Sequence, residues 1–371
     1  MMHIAGERKK EHYREMVIDS FLGFFWVLGI MTILYIMYGY APFGSNSLAC
    51  SDANIQYLDF FAYFLDVLKG KNSLTQTFSS ILGGNNIGVF GYYLASPFNL
   101  LVLLFDKPDL HAFFDILAAV KMAMAAATFC LFLHVRFISG VETKFRIRMF
   151  AILLSLGYAL SQYTIAQSSN IMWLDGVYML PLILAGVYYI VRRNSGWLLA
   201  ISVGMSILFN WYTGAINCLF SGGWICFEIA LDICSKKRGE EWRLIRRCCR
   251  YMAQYLFSMV TGVLISMVLF WPTVLAMRSS GRGELEFSVL KDFSFVGSIP
   301  SVIQGYALGA KSSHGNVSLF CGSLALLGCV CCFASKRVSL KTRTVFGMML
   351  GGLYCCFIGS PCAQLFPCSS L

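Results

Sequence analysis

Asp52, Gln56, Asp59, Tyr63 and Asp66 recur at intervals of four, three, four and three residues, which places them on one stripe of a helix. Between them lie Ile55, Leu58, Phe60, Phe61, Phe64, Leu65, Val67 and Leu68. A helix divided in this way lies in a membrane interface with its apolar side in the acyl region, and Ser51 stands where it could cap the first turn. Interfacial helices usually present Lys or Arg to the headgroups; this one presents three acids. The plain reading is that these carboxylates only face water. The sharper one is that these carboxylates, rather than the apolar bulk, mark where a function is to be looked for.

Lys121 is the most informative single charge. It falls about nine residues into an apolar stretch over 111–135, roughly 14 Å below the outer end at the helical rise. An ionisable group at that depth is costly, so it marks either a site or a pair. Asp115, six residues earlier, projects from a different face and is a poor partner within the helix. Two readings stay open: a cation that receives a lipid phosphate entering between helices, or a structural pair with an acid on another helix. Asn170, Trp173 and Asp175 sit in a tight outer turn, and Asn210, Trp211, Tyr212, Thr213 and Gly214 end another apolar run on the same side. The stretch Gly83-Gly84-Asn85-Asn86, followed by Gly88, Gly91, Tyr92 and Tyr93, is backbone that can approach phosphate or sugar closely. It matches no nucleotide-binding pattern, because it follows no buried strand and lacks the Lys-Ser/Thr pair. Glu228 and Asp232, beside Lys236 and Lys237, are read as solvated or ion-paired helix ends, and His314 is a lone His in the last outer loop, without ligand spacing around it.

These side chains are set in a very apolar chain. Of its 371 residues, 57% are hydrophobic and 13% charged, and the mean hydropathy is +0.66. A soluble domain carries roughly 25% charged residues. The excess apolar surface has to face lipid, and continuous runs of about 16–25 residues mean helices rather than the alternating strands of a barrel. The formal charge of +10 does not indicate nucleic acid, since the basic residues flank apolar spans in short loops and form no patch with exposed aromatics. Most of the 15 Cys lie inside apolar runs with no matched ligand pairs, and are read as small packing residues; Cys50 is placed outside.

The expected organisation is a cytoplasmic segment over 1–17, a first transmembrane helix over 18–40, a large outer loop over 41–110, and a membrane bundle over 111–371. The first apolar run is too long for a signal peptide and lacks a small-residue cleavage site, so it is read as retained, with a cytoplasmic N-terminus. Within the outer loop, Tyr93–Phe105 is apolar but short and broken by Ser96-Pro97, which fits a re-entrant or interfacial segment. Eight further spans are expected near 111–135, 149–166, 176–191, 197–213, 215–233, 251–272, 317–334 and 344–366, after which the chain ends at Leu371 with no terminal domain. On this assignment 21 of the 29 Lys and Arg residues fall in alternate gaps and seven in the others, which fixes the orientation. The fold class is therefore an all-α polytopic membrane protein of about nine transmembrane helices, with interfacial and re-entrant helices in its first outer loop. Asp52, Asp59, Asp66 and Asp175 share the outer face.

In this order, Ser51-Asp52 with Gln56-Tyr57, Gly83-Gly84-Asn85, Tyr92-Tyr93 with Ser96-Pro97-Phe98-Asn99, Lys121, Trp173-Leu174-Asp175 and Asn210 to Gly214 resemble bacterial YfhO-type membrane proteins. The likeness is close over roughly 10–235 and looser beyond. It implies a GT-C-like polytopic glycosyltransferase, which takes a sugar from a polyprenyl-phosphate carrier to an acceptor outside the membrane, of the teichoic or lipoteichoic acid type. It also implies that the acid just after helix one, here Asp52, is the catalytic group. Gln56, Asp59, Asn85, Tyr92, Tyr93, Lys121, Trp173, Asp175, Asn210 and Tyr212 are then the expected substrate-binding residues, with Lys121 at the phosphate and Asp59 or Asp175 at sugar hydroxyls. No metal-ligand set is expected; a divalent cation is compatible with a monophosphate leaving group but not required by it. The expected partners are the polyprenyl-phosphate-linked sugar, a cell-envelope polymer and the lipid bilayer of the bacterial cell membrane, with no nucleic acid. The chain is shorter than is usual for such proteins. Two other readings therefore stand beside this one: a lipid-linked sugar transporter or flippase, and a non-catalytic partner of a cell-envelope enzyme.

Overall fold

A computed structural model describes residues 2–79, 83–138, 145–234, 241–279, 304 and 323–358. Long helices dominate, as a chain with this much lipid-facing surface requires, because each closes its own backbone hydrogen bonds. In chain order they are α1 (Met2–Tyr38), α2 (Leu58–Leu68), α3 (Ile87–Leu94), α4 (Leu110–Leu133), α5 (Phe145–Ala159), α6 (Gln162–Ala166), α7 (Leu174–Arg193), α8 (Trp197–Phe209), α9 (Trp211–Cys234), α10 (Glu241–Ser279), α11 (Ser323–Ala334) and α12 (Leu340–Ile358). A two-residue hairpin pairs Gln76 with Asn85 and Thr77 with Gly84.

Among the described residues, six helices are long and apolar enough to cross a membrane, or seven if the bent pair Ile87–Leu94 and Pro97–Leu104 forms one span. These six match six of the nine spans expected from the sequence; the count of nine is not confirmed among the described residues. The run expected over 197–213 folds as α8, only 13 residues long, because the chain breaks at Asn210. The last two expected spans lie partly outside the described residues, and His314 wholly so.

α4 and α7 form the centre of the bundle: 67% and 72% of their most apolar windows are buried, against 28% for α1 and 17% for α10. α4 suits that place because Ala118, Ala119, Ala123, Ala125 and Ala126 let neighbouring backbones approach closely. α1 packs along α4, α4 along α7, and α7 along α8, which in turn lies against α10. Cross-links at the two ends fix the helix directions. At the arginine-rich end, Asp19 of α1 accepts from His134 at 3.0 Å and from two Arg148 nitrogens at 2.7 and 2.9 Å. At the other end, the Tyr35 hydroxyl of α1 donates to the Asp115 carbonyl of α4 at 2.9 Å.

Of the two readings of Glu228 and Asp232, the ion-paired one holds and the solvated one does not. Both side chains are buried. Glu228 takes the Arg136 Nε at 2.5 Å, and Asp232 lies 3.7 Å from Arg192 and 3.9 Å from Arg247. Removing a carboxylate from water at this depth requires a cation held nearby, and the ends of α4, α7 and α10 supply three.

Candidate functional site

The segment between α1 and α2 is hung on α4. The Asp115 carboxylate accepts from the Ser47 hydroxyl and the Leu48 amide, both at 2.9 Å. Asp115 thus faces the outer segment and not Lys121. Ser51 follows with φ of 53°, and the helix begins beyond it with Asp52, whose side chain makes no capping bond. Ser51 is therefore a turn residue rather than the cap.

Ala53–Tyr57 is a π-turn and Leu58–Leu68 is regular α-helix. The wider turn rotates the chain less per residue, so Asp52 and Gln56 are offset from the stripe that begins at Asp59. The single stripe read from the sequence is split in two. Its far half serves local structure: Tyr63 donates to the Ser73 carbonyl at 2.7 Å, and Asp66 binds Lys107 at 2.6 Å. That Lys107 bond holds the Asp66 carboxyl below the usual carboxylate range, helped by Lys71 and Lys69. Gln56 and Asp59 are exposed, and Asp52 is half-buried.

The second half of the site is built on the turn before α7. Lys121 of α4 donates to Asp175 Oδ2 at 2.8 Å and to the Ile171 carbonyl at 3.1 Å. Asp175 Oδ1 accepts from the Ser96 and Tyr178 hydroxyls, each at 2.7 Å. Lys121 and Asp175 are 0% and 1% exposed, which decides between the two readings of Lys121 for this conformation. It is paired with an acid on another helix, and its ammonium is enclosed rather than open to a lipid phosphate. Ser96 sits at the bend between α3 and the 3₁₀ helix Pro97–Leu104, where the two meet at 91°. The buried carboxylate thus ties three pieces of chain together: α4, α7 and the bend.

Around this closed core lies an aromatic rim. Trp173 Nε1 donates to the Tyr92 hydroxyl at 3.0 Å, and Asn210 Nδ2 donates to the Tyr92 carbonyl at 2.8 Å. Asn210 Oδ1 accepts from the amide and hydroxyl of Thr213, in the first turn of α9. Ring centroids of Tyr92 and Tyr93 are 4.6 Å apart, those of Tyr57 and Tyr93 5.1 Å, and those of Trp173 and Tyr212 5.9 Å. Tyr92, Tyr93, Trp173, Trp211 and Tyr212 are all half-buried, so the rim is partly open. Gly91 permits the approach: a Cβ there would run into Thr273 of α10.

Tyr57 joins the halves. Its hydroxyl donates to Asn170 Oδ1 at 3.2 Å, one residue before the carbonyl that Lys121 takes. Burial, then Tyr93 and Asp52, push the Tyr57 phenol far above its ordinary range, so it stays a donor at any working pH.

Of the expected site residues, Lys121, Asp175, Trp173, Tyr92, Tyr93, Asn210 and Tyr212 therefore share one cluster, and Asp52 starts the π-turn that ends at Tyr57, which reaches the cluster through Asn170. Gln56, Asp59 and Asn85 make no hydrogen bond or ring contact with that cluster among the described residues. Asn85 lies in the hairpin and caps α3 by accepting from the Ile87 amide at 2.8 Å. Sequence reasoning missed Tyr57, Ser96 and Tyr178 as functional candidates. Tyr178 was within reach, three residues after Asp175 on the same helical face. Tyr57 falls among the apolar residues of its helix, and Ser96 reads as a break; both belong to the motifs that carry the resemblance, but no local spacing assigns either a role. Among the described residues, no group of three or more His, Cys, Asp or Glu side chains is placed to hold a metal ion.

A family profile described as bacterial membrane protein YfhO matches residues 23–369. No curated protein and no solved structure matches the chain.

Proposed function

The chain belongs to the YfhO family of bacterial membrane proteins, and from that premise we propose that it is a multi-pass glycosyltransferase of the cell membrane with a cytoplasmic N-terminus. It moves a sugar from a polyprenyl-phosphate carrier to a hydroxyl of an extracytoplasmic polymer of the teichoic or lipoteichoic acid type. The observation behind this reading is the placement of Asp52. It is a half-buried carboxylate with no side-chain hydrogen bond among the described residues, one helical turn before Tyr57 and the aromatic rim.

In the reaction, Asp52 takes the proton of the acceptor hydroxyl while that oxygen bonds to the anomeric carbon. The bond from the anomeric carbon to the phosphate oxygen breaks, and its electron pair leaves with the polyprenyl phosphate. Tyr92, Tyr93, Trp173 and Tyr212 offer ring faces and edges to the sugar. Lys121 and Asp175 act from inside as positioning residues, holding the Asn170–Trp173 turn and the Ser96 bend in register. Gln56 and Asp59, exposed on the segment that carries Asp52, and Asn85 of the hairpin are assigned to the acceptor.

Asp52→Asn tests this directly. The variant inserts and expresses as wild type, and envelope polymer from a strain carrying only that variant loses its sugar about 10²–10⁴-fold. Normal sugar content would remove Asp52 from the mechanism. A second reading draws on the enclosed Lys121–Asp175 pair, since an intramembrane ion pair is also what a lipid-linked sugar transporter would open and close. On that reading Asp52→Asn leaves sugar addition intact, while Lys121→Met stops it.

A further inference from the structure

Away from the proposed site, an apolar groove of about 400 Å³ runs between α9 and α10 near the arginine-rich end. Cys226, Ile229 and Ile233 line one wall at the spacing of a single helix face, and Cys248, Cys249 and Met252 line the other. The groove is on the outside of the bundle, since Cys226, Cys249 and Ile233 are exposed. No charged side chain lines it.

Charge stands immediately beside it. Asp232 precedes Ile233, and Arg247 precedes Cys248. The carboxylate of Asp232 is shared between Arg192 at 3.7 Å and Arg247 at 3.9 Å. Both distances exceed the 2.7–2.9 Å of a charge-assisted hydrogen bond, so neither guanidinium is fully engaged by that acid. Both remain partly exposed, while Asp232 is not. The triad carries one net positive charge, and the neighbouring Arg246 is exposed and adds another. α10 is 39 residues long, about 58 Å at the helical rise and well beyond a 30 Å hydrocarbon layer. Its first turns therefore lie at headgroup level, where a phosphodiester sits.

We propose that the seam between α9 and α10 is a binding site for one anionic diacyl phospholipid of the leaflet on the arginine-rich face. The phosphodiester bridges Arg192 and Arg247, and an acyl chain lies in the groove walled by Cys226 and Met252. A cationic rim needs an anion and a groove without charge needs hydrocarbon; an anionic phospholipid supplies both in one molecule. This inference is independent of the chemistry assigned to Asp52.

The experiment is native mass spectrometry of the full-length protein in detergent, with phosphatidylglycerol or phosphatidylcholine added at equal concentration. The wild type retains phosphatidylglycerol preferentially. Arg192→Gln with Arg247→Gln lowers that retention about fivefold for each arginine removed, at about 1 kcal/mol per surface charge. Cys249→Trp, which touches no ion pair, fills the groove and lowers retention of the same lipid. Because the double variant takes two cations from the buried Asp232 and could fail to fold, Arg246→Gln is measured beside it, with a fall of the same sense. Equal retention of the two lipids by wild type, or retention unchanged in Cys249→Trp and Arg246→Gln, overturns the proposal. So does cross-linking that shows a second copy of the chain seated in the groove.

Discussion

Lys121 and Asp175 show how much one buried pair can organise. Each side chain is enclosed, and every polar atom of the pair has a partner in α4, α7, the turn before α7 or the Ser96 bend. Removing one partner strands the other as an uncompensated charge, so Lys121→Met alone or Asp175→Leu alone should lower stability by roughly 3–5 kcal/mol. The double variant should recover most of that loss, because it removes both charges together. Thermal unfolding in detergent checks this, and additive losses in the double variant would show that the two side chains do not act as a pair. Asp66 gives a pH signature. Its carboxyl is held below the usual range by Lys107, so its contribution is present above the unfolded carboxylate pKa near 4 and is lost as pH falls through the lower folded value. Proteolysis of the α2 region should therefore differ between wild type and Asp66→Asn by a constant amount from pH 7 down to 5, with the difference closing only in stronger acid. A difference that closes between pH 7 and 5 would contradict the pairing.

At the scale of elements, the segment from Ser51 to Leu68 shows what a sequence can and cannot disclose. Its amphipathic character was legible, because acids and aromatics alternate at helical spacing. The π-turn over Ala53–Tyr57 was not, because periodicity assumes one constant twist. That turn sets the direction of Asp52. Deleting Asn54 should restore a regular helix, swing Asp52 out of line with Tyr57 and abolish sugar transfer, with membrane insertion unchanged. Retained transfer in the deletion variant would show that the wide turn is dispensable. The bend between α3 and Pro97–Leu104 was visible as Ser96-Pro97, but its anchor was not: Ser96 meets Asp175 across 79 residues of sequence, and no local pattern reports such a contact. Lys121 was conspicuous by its depth, yet its sequence neighbours could not say whether the charge faced lipid, water or another helix.

For the whole molecule, the alternation of basic gaps is matched by the structure's own cross-links. Arg136, Arg148, Arg192 and Arg247 meet their acids at one end of the bundle, and the Asp115, Asp175 and Asp66 contacts lie toward the other. The fold class was thus readable from composition and charge, and so was the gathering of arginines at one end of the bundle, whereas α8 is too short to be told from a full span by hydropathy alone. Cys50 and Cys249 are both exposed and lie toward opposite ends. In variants that keep only one of these two thiols, a membrane-impermeant maleimide applied to intact cells should label Cys50 at once and Cys249 only after permeabilisation. The reverse order would invert the orientation.

α4 also imposes a mechanical condition. Asp115 holds the strand that leads to Asp52, and Lys121, about 9 Å further along the same rod, holds the Asp175 turn. Both halves of the proposed site ride on this one beam, so tilting it moves them in concert and cannot part them. A guest as bulky as a lipid-borne sugar must therefore be admitted from the far side, where α3, with Tyr92, leans on α10 and ends at the Ser96 bend, off the beam.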